Sequence, residues 1–280
     1  MQQETYNDLS KLVRKRSGQD IPPSKAYLME ARLAELARRE GFANLDDLVR
    51  ALRARPNVVF EAEVAAELAS KDTQFFRERD LFDRIVDNFL PKALERSDTG
   101  NIRIWCAGGG TGQEAYSLAM LLAEAELSGA TGRQIDIIST DLCNRSIEAA
   151  RLGAFGHFDV QRGLSIHRLL RHFTRLESGQ WQISTAMRSR VGFRRHNLLE
   201  DATGLGKFDV IVCMNTLSGM TFDARRTALA NMSNQLTTEG ILVAASSESL
   251  SGLVTGMQAS RDFRGALGRQ AGANTITIAA

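Results

Sequence analysis

The sequence predicts an α/β domain with a small inserted β hairpin, preceded by an all-helical N-terminal domain. Three observations carry this. From Tyr6 to about Leu90 apolar residues recur at helical spacing, with almost no clusters of β-branched residues. After Pro91 short apolar runs alternate with helical stretches, the pattern of a parallel sheet covered by helices. One of those runs flows into a glycine-rich turn and then into another helix.

In the first half, Tyr27, Leu28, Ala31, Leu33, Leu36 and Ala37 fall mostly on one side of a helix. Breaks at Ile21-Pro22-Pro23-Ser24, Gly41-Phe42-Ala43-Asn44 and Pro56-Asn57 divide this half into three or four short helices, with Ser24 placed to cap the second. In the second half the strand runs are Ile102–Ala107, Ile135–Ser139 and Phe208–Cys213, joined by Arg190–Arg194 and Gly240–Ala245. Helical stretches lie near Glu114–Glu126, Asn144–Arg151 and Asp223–Gln235, and Asn274–Ile278 reads as a last strand. Glu177–Ile183, around Trp181, reads as the inserted hairpin. The domains are placed at residues 1–75 and 76–280, ahead of the polar turn segment Glu95–Gly100.

Composition narrows the function. A chain with 43% hydrophobic and 24% charged residues can bury a real core, which excludes disorder. A net charge of only +2 gives no overall field towards nucleic acid or anionic lipid. No apolar run reaches the roughly 18 residues that span a bilayer, and the start has neither a basic nor an apolar leader region, so a cytoplasmic protein is expected; nothing in the sequence suggests an obligate assembly, so it is expected to be a monomer. Cys106, Cys143 and Cys213 form no CxxC pair, and two of them lie inside strand runs, as small core residues do. His157, His167, His172 and His196 have no metal-ligand spacing, so no metal site is expected.

The chemistry concentrates at strand ends. Gly108, Gly110 and Gly112 form a G-x-G-x-G turn, which allows tight backbone turning and close approach, with N–H groups of the following helix available to a polar ligand. The next strand ends in Ser139-Thr140-Asp141, placing a carboxylate at the sheet edge where open α/β folds bind ligands and where an acid can accept from ribose hydroxyls. Asp141 stands 29 residues beyond Gly112, against about 20 in the dinucleotide fingerprint, which disfavours a nicotinamide dehydrogenase. No G-x-S-x-G elbow surrounds Ser247, which disfavours a hydrolase.

Several segments together resemble the chemotaxis receptor methyltransferase family: Thr73-Gln74-Phe75-Phe76-Arg77-Glu78, Gly112-Gln113-Glu114-Ala115-Tyr116-Ser117, Ser139-Thr140-Asp141, Phe193-Arg194-Arg195-His196-Asn197-Leu198-Leu199 and Ser246-Ser247-Glu248, in that order. Lys25–Leu28 with Ala31–Leu33 resembles the family's N-terminal domain, and Phe158–Leu164 its segment after the second strand, so the similarity spans nearly the whole chain. The resemblance implies a Rossmann-like methyltransferase domain and S-adenosylmethionine as cofactor, with S-adenosylhomocysteine as product. It implies methylation of glutamate carboxylates on the cytoplasmic methylation helices of chemoreceptors. Thr73 and Arg77 would reach the cofactor and the methyl-transfer site from the linker. Glu114 would hold the methionine or ribose portion and Asp141 the ribose and adenine end, while Asn197, Leu198 and Asn215 complete the pocket.

The chain departs from the family after Val210–Cys213, where C-R-N, an apolar pair and I-Y-F-D are usual. Here Cys213-Met214-Asn215-Thr216-Leu217-Ser218-Gly219-Met220-Thr221-Phe222-Asp223 stands instead, with Met214 for the arginine, no tyrosine, and about two extra residues. Lys71 stands where the family often has asparagine. A non-catalytic S-adenosylmethionine or S-adenosylhomocysteine sensor or scaffold is therefore the alternative reading, and a transferase redirected to another acceptor is a third. Before residue 56 eleven cations face eight acids, a net of +3. Ordinary solvated helix faces account for this, and so would docking on acidic receptor helices through residues such as Arg38 and Arg39.

Overall fold

The computed structural model describes residues 1–69, 73–97, 100–125, 134–250, 252–261, 263–273 and 275–279. Lys71 therefore lies outside the described residues, as do Glu126 and Asn274 at the ends of two predicted elements.

Four helices open the chain: α1 (Gln3–Ser17), α2 (Ala26–Arg39), α3 (Leu45–Ala54) and α4 (Val58–Leu68). In α1, buried Thr5, Leu9, Val13 and Ser17 recur every fourth residue, and Gly18 ends the helix in the left-handed conformation with its N–H on the Arg14 carbonyl. Asn44 and Asn57 cap α3 and α4 by accepting from backbone N–H groups of the first turn. Ser24 does not cap α2. The prolines at 22 and 23 start a 3-10 turn, Pro23–Lys25, and Ser24 sits inside it. Leu9, Val13, Met29, Leu33, Leu48, Val64 and Leu68 form the core of this half.

After two short helices, α5 (Arg79–Arg84) and α6 (Leu90–Arg96), joined by a π turn at Ile85–Phe89, the sheet begins. The π turn falls just ahead of Pro91, whose missing N–H and bulky ring disturb regular helix pairing. The strands and helices that follow are β1 (Asn101–Ala107), α7 (Gln113–Glu124), β2 (Gln134–Asp141), α8 (Asn144–Leu152), β3 (Ala154–Phe155), α9 (His157–Gln161) and α10 (Ile166–His172). Next come β4 (Phe173–Arg175), β5 (Trp181–Ile183), α11 (Thr185–Arg188), β6 (Val191–Arg195), β7 (Phe208–Cys213), α12 (Phe222–Asn234) and β8 (Leu236–Ala244). The chain closes with β9 (Val254–Thr255), β10 (Met257–Ala259), β11 (Ala266–Arg269) and β12 (Thr277–Ile278).

Among the described residues the main sheet has seven strands in the order β10-β11-β8-β7-β1-β2-β6. The five from β8 to β6 are mutually parallel, and β11 runs antiparallel to both β8 and β10. The sheet is therefore mixed, and its antiparallel edge was not predicted. Met257–Ala259 and Ala266–Arg269 are short and interrupted by polar residues and glycine, so they carry no alternation to read. The predicted last strand shrinks to β12, which pairs with β9 in a separate ribbon instead of extending the sheet. The hairpin at Trp181 forms as β4 and β5, with β3 as a third strand.

Alternate side chains of the sheet feed two cores. Ile104, Cys106, Val210 and Val212 point towards α7, and Trp105, Ala107, Ile211 and Leu242 towards α12. All three cysteines are buried free thiols, and burial holds Cys106 and Cys213 well above the ordinary thiol range. Among the described residues no group of His, Cys, Asp and Glu could hold a metal ion, and no helix is long and apolar enough to cross a membrane.

Burial holds the His172 imidazole below its ordinary value of 6.5, a shift only partly offset by the Glu124 carboxylate at 3.7 Å. Folding therefore binds fewer protons at this site than the unfolded chain does. Stability is complete above about pH 6.5 and declines as pH falls below it. We expect Tm to be level above about pH 7 and to drop by on the order of 3 °C by about pH 5.5, with a shallower drop in His172→Gln. Equal drops in both proteins would refute this origin.

Candidate active site

The site is assembled at the C-terminal ends of β1, β2 and β7, where open α/β sheets place ligands. After β1 the chain turns through Gly108, Gly110 and Gly112, with φ of 71°, 52° and 93°, values that side-chain-bearing residues rarely adopt. Their glycine character has a second cause in packing. A Cβ on Gly108 would overlap Thr216, one on Gly109 would overlap the Ser139 hydroxyl, one on Gly110 would overlap the Thr73 methyl, and one on Gly112 would press on the Phe193 ring. The residues pressing on the turn are thus the chain's own, arriving from the linker, from β2, from β6 and from the loop after β7.

Asp141, 7% exposed, holds this turn in place. One carboxylate oxygen accepts from the Gly110 N–H at 2.9 Å, and the other from the Cys143 N–H at 2.9 Å. The carboxylate therefore ties the turn after β1 to the turn after β2. Glu114, 3% exposed, lies in the first turn of α7, a helix with no side-chain cap at Gly112, so the helix dipole favours its negative charge there.

The T-x-F-F-R element reaches the same edge. Thr73 Oγ1 lies 3.2 Å from Thr111 Oγ1. Phe75 is fully buried against Phe155 and Phe173, with ring centroids 5.0 and 5.7 Å away. Phe76 donates its N–H to the Ser117 hydroxyl at 2.9 Å and lies under the Arg168 guanidinium at 4.1 Å. Arg77 sits between two such anchors. Phe76 and Glu78 both adopt left-handed φ, 50° and 54°, and Glu78 accepts from the Ser246 N–H and hydroxyl. Strain of this kind persists only where surrounding packing imposes it.

Arg77 meets Asn215 at the end of β7. With its carboxamide oxygen turned to the guanidinium, Asn215 accepts from Nε at 3.3 Å and from Nη1 at 3.2 Å. Asn215 is the third non-glycine residue with positive φ among those described, at 53°. Beside it Met214, 5% exposed, packs into the core where the resembling family carries arginine. Ser218 donates its N–H to Glu248 at 2.6 Å, so the Ser246–Glu248 segment braces the altered loop as well as the Arg77 element.

Asn197 and Leu198 face the N-terminal half. Asn197 donates its amide to the Arg16 carbonyl at 2.8 Å, and Leu198 is buried on the α12 side of the sheet. A narrow cleft of about 30 Å³ runs past Gly108, Asp141, His196, Asn197 and Thr216, and its far wall is Ser17 and Gln19 at the end of α1. The buried Nε2 of His196 and the hydroxyl of Ser139 make no hydrogen bond. The orphaned His196 nitrogen, beside a carboxylate and a glycine turn, is a polar atom that a ligand at this edge can satisfy. Burial lowers the His196 pKa, keeping the imidazole neutral and able to accept or donate. Sequence reasoning missed Ser17, Gln19, Thr216 and His196. Only His196, inside a matched segment, carried any signal.

Comparison with known proteins identifies the family. Residues 4–66 match the model "CheR methyltransferase, all-alpha domain" and residues 71–262 match "CheR methyltransferase, SAM binding domain". The chain is 32% identical over 232 residues to the chemotaxis protein methyltransferase Cher2 of Pseudomonas putida, covering 82% of this chain and 84% of that one. It is 33% identical over 232 residues to chemotaxis protein methyltransferase 1 of Pseudomonas aeruginosa, with the same coverage. It is 30% identical over 251 residues to the chemotaxis protein methyltransferase of Vibrio parahaemolyticus, covering 89% and 90%. With an all-helical domain leading into an S-adenosylmethionine-binding sheet domain, the chain belongs to the CheR methyltransferase family.

Proposed function

We propose that this chain transfers a methyl group from S-adenosylmethionine to glutamate carboxylates of chemoreceptors in the cytoplasm, as part of chemotactic adaptation. The observation that carries the reading is the meeting of Arg77 and Asn215 beside the glycine turn, at the edge where Asp141 and Glu114 also stand. The names of the relatives support chemotaxis as the setting.

Bound S-adenosylmethionine supplies an electrophilic methyl on a sulfonium sulfur; an oxygen of the acceptor carboxylate forms the new C–O bond as the C–S bond breaks, leaving a methyl ester and S-adenosylhomocysteine. A glutamate carboxylate is already ionised near neutral pH, so no general base is needed. The chain's task is positioning. The Arg77 guanidinium, held by Asn215 and by the anchored residues on each side, orients the incoming carboxylate. Thr73, Glu114, Asp141, Asn197, Leu198 and the turn Gly108, Gly110 and Gly112 hold the cofactor. Fixing two reactants in line supplies effective molarities on the order of 10⁵ M or more, which is where most of the rate arises. The altered loop is anchored at Asn215 and Ser218, and no observation favours a non-catalytic module.

The test is calorimetry with S-adenosylhomocysteine followed by labelled methyl transfer to receptor fragments containing methylation helices. We expect binding, and label on glutamate that alkali releases as methanol. Binding without transfer, or label stable to alkali, would overturn the assignment.

Docking on the receptor falls to the helical domain in this reading. The +3 of residues 1–55 is cancelled by Glu61, Glu63 and Glu67 of α4, and several cations pair within the domain: Arg14 with Asp20, Arg16 with Glu61, Arg39 with Glu40 and Glu63, and Arg53 with Glu4 and Asp8. Arg38 donates to the Ala34 carbonyl one turn back and leaves its charge at the surface. Reversing Arg38 and Arg39 to glutamate should reduce receptor methylation about tenfold at low salt, with S-adenosylhomocysteine affinity unchanged. Unchanged methylation would remove docking from this face.

A further inference from the structure

The loop that departs from the family pattern is docked on the helical domain. Gly18, Gln19 and Asp20 lie against Gly219, Met220 and Thr221 as a one-residue antiparallel bridge between Gln19 and Met220. The Asp20 N–H donates to the Gly219 carbonyl at 2.8 Å, and the Thr221 N–H to the Gly18 carbonyl at 2.8 Å. Gly18 is required by this approach, since it has φ of 72° and a Cβ there would overlap Ala224, while a Cβ on Gly219 would meet the end of the Gln19 side chain and displace it.

The Gln19 side chain continues the contact inward. It is 6% exposed, lines the cleft, and donates from Nε2 to the Thr216 carbonyl at 3.0 Å. Thr216 in turn presses on Gly108 across the glycine turn. The two residues thus bridge the cleft from the helical domain to the turn after β1, through the residue next to Asn215.

We infer that Gln19 is a positioning residue, which closes the cofactor cleft from the helical domain by holding Thr216 against the glycine turn. It acts through Thr216 and Gly108 and takes no part in the chemistry. The inference rests on the reading that this cleft holds S-adenosylmethionine, and it is independent of which acceptor is used. A buried amide makes a hydrogen bond of one polarity to a backbone carbonyl, so its loss frees the loop without removing the bridge that docks it. If the closed cleft then falls to about one-tenth of the population, apparent cofactor affinity falls about tenfold.

The test uses the full chain and calorimetric titration with S-adenosylhomocysteine, with Tm measured alongside. Gln19→Met keeps the volume and removes the donor, and Gly219→Ala places a methyl where the amide ends. Each should weaken binding about tenfold, and the double variant should also be weaker by about tenfold, because both act on one contact. Gln19→Glu, which turns a carboxylate towards the Thr216 carbonyl, should weaken binding at least as much as Gln19→Met. Normal affinity in Gln19→Met or Gln19→Glu, with or without a lower Tm, would show a merely space-filling residue and overturn the inference. So would a double variant weaker by about a hundredfold, since the two changes would then act separately. Failure of the unaltered chain to bind S-adenosylhomocysteine would remove the cofactor reading of the cleft and this inference together.

Discussion

Arg77→Met is expected to lower the rate of methyl transfer at saturating S-adenosylmethionine by about 10²–10³-fold, the scale of losing one oriented charge where the reacting groups meet. Affinity for S-adenosylhomocysteine should fall by about tenfold at most, because Asp141, Glu114 and the glycine turn are left in place. The structure supports so large an effect from one side chain because its position is fixed at both chain neighbours and at its guanidinium. Phe76 and Glu78 are held in left-handed conformations by a buried Ser117 hydroxyl and by Ser246, and the guanidinium ends on Asn215. Arg77→Lys should recover little activity, since an ammonium carries the charge without the planar fork that holds a carboxylate. Labelled transfer to receptor fragments reads the rate and calorimetry reads the affinity. Transfer by Arg77→Met at the wild-type rate would end the case for this residue.

Asp141→Ala is expected to abolish measurable S-adenosylhomocysteine binding and to destabilise the fold. The substitution leaves two buried backbone donors, on Gly110 and Cys143, without their acceptor. At roughly 1–3 kcal/mol for each unsatisfied group, the loss is about 2–6 kcal/mol. Part of it appears as a lower Tm, and part as a glycine turn that no longer holds the shape the cofactor needs. Asp141→Asn keeps one carbonyl acceptor but turns an amide donor towards one of the two N–H groups, so it should lose nearly as much. Thermal denaturation and titration separate the two parts. A variant with normal Tm and normal affinity would show that the turn holds itself.

The two substitutions also show what could be read in advance and what could not. The T-x-F-F-R element, the glycine turn and the S-T-D strand end were recognisable as motifs, because each is a local solution to a local problem: a tight turn, an anchored aromatic pair, a carboxylate at a strand end. That the Asp141 carboxylate clasps backbone from two turns was not legible. A hydrogen bond to a distant N–H leaves no trace in residue type. The same holds for the antiparallel edge β10-β11, whose short strands have no pattern of their own and exist because β8 offers them a partner.

The sequence by itself determined the helical half, the α/β half and the glycine turn at the first strand end, since hydrophobic period and glycine conformation act within a few residues of one another. Only the tertiary structure decided that Arg77 meets Asn215, that Thr216 covers the glycine turn, and that Gln19 reaches Thr216 from the far side of the chain. Those contacts join residues more than a hundred positions apart, and their partners are chosen by how packed elements come to rest against each other, which no local pattern encodes.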